Sequence, residues 1–588
     1  MTTHHPAAHP AFAQLLHGGD YNPDQWRHEP AVWDDDLRLM RLAHCNVMSV
    51  GIFSWAALEP EEGRFTFDWL DRIMDNLARH DVRVALATPS GAKPAWMALR
   101  YPETRRVQPN GLREHHGFRH NHCYTSPVYR DKTRIINTKL AERYAAHPAL
   151  LLWHVSNEYG GECHCELCKQ AFRHWLQQRY HSLDELNHAW WSGFWSHTFT
   201  AWEQIDYIDT SMHGMQLDWR RFVTDQTADF FRHEAEPLRR LTPRVPVTTN
   251  MMGFYEGLNY WKFAPLVDVI SWDNYPDWHQ TPEEWRTACH TAFTHDLNRS
   301  LRGGQPFLMI ESTPSQTNWR DISPLKRPGM HMLASLQAVA HGSDAVMYFQ
   351  WRKGRGGCEK FHGAVVDHAG HEHTRVFQDV AAVGAALAQL GALAGTSLAP
   401  EVALIHDWEN GWAFSQSRGP RNRDKDYLDT CRAHYQPLWQ RGIPADVIDM
   451  DGDFSRYRLL LAPLLYMVRP GVAERLAAFV ADGGTLVTTY FSGIADQHDR
   501  CFPGGFPGPL RALLGIWAEE TDALHEHQHQ TVEACAGNQL GLHGSYAARH
   551  YCDLVHLDGA QALAHYGAQF YAGQPAVTVK PGGRGAAY

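Results

Sequence analysis

A chain of 588 residues is longer than one hydrophobic core usually organises, so a barrel-sized domain and at least one further domain are expected. Its 44% hydrophobic and 20% charged content fits a packed protein and argues against extensive disorder. A net charge of -11 with no run of Lys or Arg lacks the footprint of nucleic-acid or anionic-membrane binding, so no nucleic-acid partner is expected. No apolar run reaches the roughly 18 residues of a membrane span, so no membrane partner is expected either.

The opening segment has no basic start followed by an apolar stretch, which argues against a secretory signal and for a cytoplasmic protein. The first strand ends at His17-Gly18-Gly19-Asp20. A helix follows, with Pro30 suited to its first turn and Trp33, Leu37 and Met40 recurring on one face. Strands two and three read at 46–50 and 82–88, with a helix at 69–80 between them. Strand four, at 150–154, follows a helix that Pro148 should stop near His147. Beyond a long insertion rich in Trp and Tyr come strands at 247–250, 269–272, 307–310 and 345–349, then a helix at 376–390. Alternating apolar and amphipathic runs of this kind predict βαβ units, and eight such strands favour a closed (β/α)8 TIM barrel over residues 1–395.

The texture changes near Ala394-Gly395-Thr396. Shorter strands at 402–405, 447–448, 459–461 and 486–487, with a helix at 472–481 stopped by Gly483-Gly484, read as a flavodoxin-like α/β domain over 396–588. A Gly/Pro-rich stretch at 502–509 precedes a tail whose strands the pattern does not define. This domain carries no glycine-rich phosphate loop, and no organic cofactor is expected.

Strand four runs straight into Trp153-His154-Val155-Ser156-Asn157-Glu158, and strand seven into Met309-Ile310-Glu311. The C-terminal ends of barrel strands are where such enzymes place reactive groups. A Glu that follows an apolar strand is costly to bury unless it has a partner or a task. Strands four and seven face each other across a barrel mouth, so two carboxyls can approach the roughly 5 Å that glycoside hydrolysis with retention requires. In that chemistry Glu158 is the acid/base and Glu311 the nucleophile. Glu158 must begin protonated, so burial and the charge on Glu311 are expected to raise its pKa. Glu311 must stay ionised, and Arg119 is the candidate cation beside it.

A second cluster, Cys163-His164-Cys165-Glu166-Leu167-Cys168, has a spacing that can offer three thiolates to one tetrahedral zinc. Cys123 is the leading fourth ligand, with His122 and His164 as rivals. The eleven cysteines are an odd number, and the rest are scattered, which suits reduced thiols better than disulfides.

The segments Gly18 to Trp26, Phe53-Ser54-Trp55, Leu58-Glu59-Pro60, Thr88-Pro89-Ser90 and Lys93-Pro94-Ala95-Trp96 resemble the opening of the family 42 β-galactosidases. So do Trp153 to Gly160, the cysteine run and Tyr348-Phe349-Gln350-Trp351-Arg352, and the likeness covers nearly the whole chain. The resemblance implies a retaining, exo-acting enzyme on a small β-galactoside, with acid/base and nucleophile falling on Glu158 and Glu311. It implies sugar contacts by Arg119, Asn157 (to the 2-hydroxyl), Tyr275 and Trp319, with Glu359 and His362 binding the hydroxyls that distinguish galactose from glucose. It further implies one structural zinc per chain on Cys123, Cys163, Cys165 and Cys168, and a homotrimer built by the second domain. The small β-sandwich that usually ends the family is expected to be absent or truncated. A β-fucosidase, an α-L-arabinopyranosidase or a β-glucosidase of the same clan is the alternative reading.

Overall fold

The structure, a computed structural model, describes residues 12–206 and 208–588; the first eleven residues of the segment read for a leader lie outside them. Contacts divide the chain into two compact units, residues 1–172 with 222–399 and residues 173–221 with 400–588. The division expected at 395/396 differs chiefly in that residues 173–221 group with the second unit. Among the described residues no helix is long and apolar enough to cross a membrane.

The first unit is built on nine parallel strands: β1 (Leu16–Tyr21), β2 (Val47–Val50), β3 (Arg83–Ala87), β4 (Leu150–His154), β5 (Val247–Thr248), β6 (Asn250–Met251), β7 (Ser271–Asn274), β8 (Phe307–Ser312) and β9 (Ser343–Tyr348). Their order is β5-β4-β3-β2-β1-β9-β8-β7-β6. The two end strands, β5 and β6, are halves of one stave split at Thr249, so the sheet closes on itself as the expected TIM barrel. The expected strand at 269–272 is observed two residues later.

Inward side chains pack the barrel, among them Leu16, Val47, Ala85, Leu152, Leu308, Ile310 and Met347. Each of these but Ala85 contributes about 2 kcal/mol by leaving water. The paired glycines of β1 have a steric cause. A Cβ on Gly18 would lie 1.6 Å from the Val47 carbonyl oxygen, and one on Gly19 2.5 Å from that of Tyr348. Both neighbouring strands therefore press against β1 just before Asp20.

In the second unit β10 (Val402–Ile405), β11 (Ala445–Ile448), β12 (Leu459–Ala462) and β13 (Thr485–Thr488) pair in parallel in the order β11-β10-β12-β13. This is the flavodoxin-like winding expected. Two antiparallel strands, β14 (Ile516–Ala523) and β17 (Tyr551–Leu557), pair separately. The remaining tail strands, β15 (Gln530–Ala534), β16 (Ser545–Ala548), β18 (Gln561–Tyr566) and β19 (Pro575–Gly582), extend the main sheet in antiparallel fashion. The last strand, β20 (Gly585–Ala587), then joins β13 in parallel.

Candidate active site

The C-terminal ends of β1, β4, β7 and β8 and the start of β6 bring together Asp20, Glu158, Asp273, Glu311 and Asn250. Carboxylate oxygens of Glu158, Asp273 and Glu311 all lie within 4.8 Å of one another. That proximity matches the spacing of two carboxyl groups acting on opposite sides of one glycosidic bond with retention, about 5 Å.

The turn after β4 is conformationally tense. Ser156 and Glu158 have φ of 57° and 39°, in the left-handed region that side-chain-bearing residues avoid. Two hydrogen bonds pin it: the Ser156 N–H donates to Thr88 Oγ1 at 2.7 Å and the Glu158 N–H to Asn250 Oδ1 at 2.8 Å. The strain thus delivers the Glu158 side chain to the barrel mouth, where it remains 13% exposed.

Arg119 Nη2 lies 2.8 Å from Glu158 Oε2, so the cation expected beside Glu311 is bonded to Glu158 instead. Glu311 is 5% exposed and takes neutral donors: the Tyr275 hydroxyl to Oε2 at 2.7 Å and the Asn250 amide to Oε1 at 3.1 Å. Burial, then the charge of Glu158, raise the Glu311 carboxyl to about 8, opposed by the Tyr275 hydrogen bond and by Arg119. Glu311, the residue expected to stay ionised, thus carries a raised carboxyl. The cause is geometric: β8 carries Glu311 inside the barrel wall, whereas Glu158 stands beyond its strand beside a guanidinium.

Asp20 and Asp273 deepen this effect. Burial and the charge of Glu311 push both carboxyls well above the usual range. Near neutrality the cluster therefore holds fewer negative charges than it has carboxyl groups.

The other expected sugar contacts surround the pair. Asn157, 2% exposed, sits beside Glu158, its Nδ2 3.4 Å from Oε2. Tyr275 meets Trp319 edge to face at 4.9 Å between ring centres, and Trp319 stacks on His362 at 5.0 Å. Trp319 is 53% exposed, an arrangement more like an open platform than a core residue. His362 is fully buried and burial lowers its pKa to about 4, so the ring is neutral. Its Nδ1 must donate to the Gly363 carbonyl at 3.0 Å, which leaves Nε2 as an acceptor with no protein hydrogen-bond partner. Glu359 is partly buried, its carboxyl raised by burial and drawn down by Arg119.

Asn250, Asp20 and Asp273 were absent from the residues expected. Asp20 and Asp273 carry the signal used for the two glutamates, an acid near the C-terminal end of a barrel strand, and Asn250 closes the strand expected at 247–250.

The four sulfurs of Cys123, Cys163, Cys165 and Cys168 also lie within 4.8 Å of one another, all buried. Cys123 Sγ is 3.7 Å from that of Cys165 and 3.5 Å from that of Cys168, and the Cys165 and Cys168 sulfurs are 3.7 Å apart. Tetrahedral bonds of about 2.3 Å to a zinc ion put sulfurs about 3.8 Å apart, so the cage fits that ion. A disulfide would need about 2 Å. His122 and His164 lie outside the group.

Residues 20–390 match the profile of a glycoside hydrolase 42 family described as Beta-galactosidase, and residues 400–588 one described as Beta-galactosidase trimerisation domain. The β-galactosidase BglY of Alicyclobacillus acidocaldarius is 58% identical over 588 residues, covering 99% of this chain and 85% of that protein. The β-galactosidase Pbg of Clostridium perfringens is 56% identical over 583 residues, 98% of this chain and 85% of that protein. Among solved structures, the cold-adapted β-galactosidase of Rahnella sp. R3 superposes with a TM-score of 0.99 at 54% identity, covering 100% of this chain and 87% of that one.

Proposed function

Because the chain belongs to the glycoside hydrolase family 42 β-galactosidases, we propose that it removes terminal non-reducing β-D-galactosyl residues with retention, through a covalent galactosyl-enzyme on Glu311. The observation that carries this reading is the approach of the Glu158 and Glu311 carboxylates to within 4.8 Å. In the first step Glu158 gives its proton to the leaving oxygen while a Glu311 oxygen bonds to the anomeric carbon and the glycosidic bond breaks. In the second, Glu158 takes a proton from water, whose oxygen displaces Glu311 and releases β-galactose.

Asn157 donates to the 2-hydroxyl, a contact that tightens as positive charge builds on the ring. Tyr275 holds Glu311, Arg119 borders the cleft, and Trp319 offers an apolar face to the sugar. Glu359 and the accepting Nε2 of His362 take the hydroxyls whose orientation marks galactose. The four thiolates hold one structural zinc, which ties the loop carrying Arg119 to the loop after Glu158. The chain works as a homotrimer through its second unit, a reading supported by the trimerisation profile over residues 400–588. Reduced thiols at metal-binding spacing support a cytoplasmic setting.

A panel of chromogenic glycosides tests the substrate. The β-galactoside should be cleaved with the highest kcat/KM. A preference for the β-fucoside, α-L-arabinopyranoside or β-glucoside would replace the sugar in this reading and leave the two-carboxylate chemistry standing.

A further inference from the structure

Asn250 opens β6 directly after the break at Thr249 and is 2% exposed. Its Oδ1 accepts from the Glu158 main-chain N–H at 2.8 Å and from His154 Nε2 at 2.9 Å. Its Nδ2 donates to Asn157 Oδ1 at 2.9 Å, to Asp273 Oδ2 at 2.7 Å and to Glu311 Oε1 at 3.1 Å. One amide thus bonds both Glu311 and the Asn157-Glu158 turn.

The neighbours fix which way this amide points. Turned over, its oxygen would face the Asn157 side-chain oxygen, an acceptor, and its NH2 would face the Glu158 N–H, a donor. Burial lowers His154 to about 4, so that ring is neutral and carries its proton on Nε2, where it can reach the amide oxygen. The amide is thus held from one side by donors and presents both of its N–H groups to the other.

We propose that Asn250 is a positioning residue that sets the division of labour between the two glutamates. This rests on the proposed roles of Glu158 and Glu311. Through one rigid planar group it fixes the distance from the Glu158 turn to Glu311 Oε1. It also gives Glu311 a donor that favours the ionised form, which a nucleophile needs, and it gives the Glu158 side chain none. Tyr275 supplies the second donor from the cleft side, to Oε2. Asn250 touches no reacting atom of the sugar and acts only through Glu158, Asn157 and Glu311.

The test is the pH dependence of kcat/KM on an aryl β-galactoside for wild type, Asn250→Ala and Asn250→Ser, the second variant keeping one hydroxyl donor. Loss of the donor should lower kcat about 100-fold, the cost of a misplaced reacting group, with KM changed by less than about threefold. Glu311 should then hold its proton more tightly, so the acid limb should move up by about one pH unit, with Asn250→Ser intermediate. Activity within threefold of wild type, or a loss matched by the loss of folded protein with the acid limb unmoved, would overturn the proposal. The anomer first released by wild type checks the premise separately. An inverted product removes the roles assigned to the glutamates, whereas a retained product with an unmoved acid limb removes only the role of Asn250.

Discussion

Arg119 Nη2 meets Glu158 Oε2 at 2.8 Å, while Glu311, across the barrel mouth, is held by the Tyr275 hydroxyl and the Asn250 amide. One carboxylate has a full positive charge beside it and the other only dipoles, in a pocket shared with Asp20 and Asp273. Burial, then the charge of Glu158, raise the Glu311 carboxyl to about 8, so the pocket retains a proton through neutrality. Hydrolysis of a galactoside needs that proton on Glu158.

The pH profile of kcat/KM is accordingly expected to be bell-shaped. Its basic limb should fall near pH 8, where the pocket loses the proton that the raised carboxyl of Glu311 retains. Initial rates on an aryl galactoside from pH 4 to 10 would check this, and activity still rising at pH 9 would contradict it.

Stability should move the opposite way to the usual acid-denaturation pattern at this site. Glu311 is raised from 4.5 unfolded to about 8 folded, so its contribution is fully present below pH 4.5 and is lost as pH climbs through 8. Glu311→Gln, which cannot ionise, is expected to be more stable than wild type at pH 8 by on the order of 2–4 kcal/mol, with the advantage shrinking toward pH 4.5. Denaturant unfolding of both proteins at the two pH values measures it. Equal advantage at both would show that ionisation of Glu311 is not what costs the fold.

The partnerless Nε2 of His362 leads to a specificity prediction. His362→Phe keeps the ring against Trp319 and removes the acceptor, so kcat/KM for the galactoside should fall by about 2 kcal/mol, or roughly 30-fold. The much slower β-glucoside reaction should change little, narrowing the ratio of the two. An unchanged ratio would take His362 out of sugar recognition.

Protein purified without chelator is expected to contain one zinc per chain by elemental analysis. Cys123→Ser should lose the metal and melt at lower temperature, because a structural zinc contributes to folding directly. Zinc content well below half an atom per chain would reject the assignment.

The barrel could be read in the sequence because its strands are short, apolar and evenly interrupted, and β4 and β10 fall at the predicted residues. Glu158 and Glu311 were visible as acids ending apolar runs. Their electrostatics were not, because the partner of Arg119 depends on how the loop after β3 folds back, which no local pattern encodes. Asn250 closes the strand expected at 247–250 but is not an acid, and the break at Thr249 has no sequence signature. The tail was illegible for a similar reason: β20 finds its neighbour β13 about a hundred residues away, after an antiparallel excursion. The excursion at 173–221 reads as an extension of the barrel and yet groups with the second unit through contacts such as Arg221 to Glu409 at 2.6 Å.

The most direct test of the two-glutamate account is proton NMR of the first product released from an aryl β-galactoside, paired with mass analysis of protein inactivated by a 2-deoxy-2-fluoro-β-galactoside. The account predicts that β-galactose appears before mutarotation and that the label sits on the peptide containing Glu311. Initial release of α-galactose, or a label on any other residue, would contradict it.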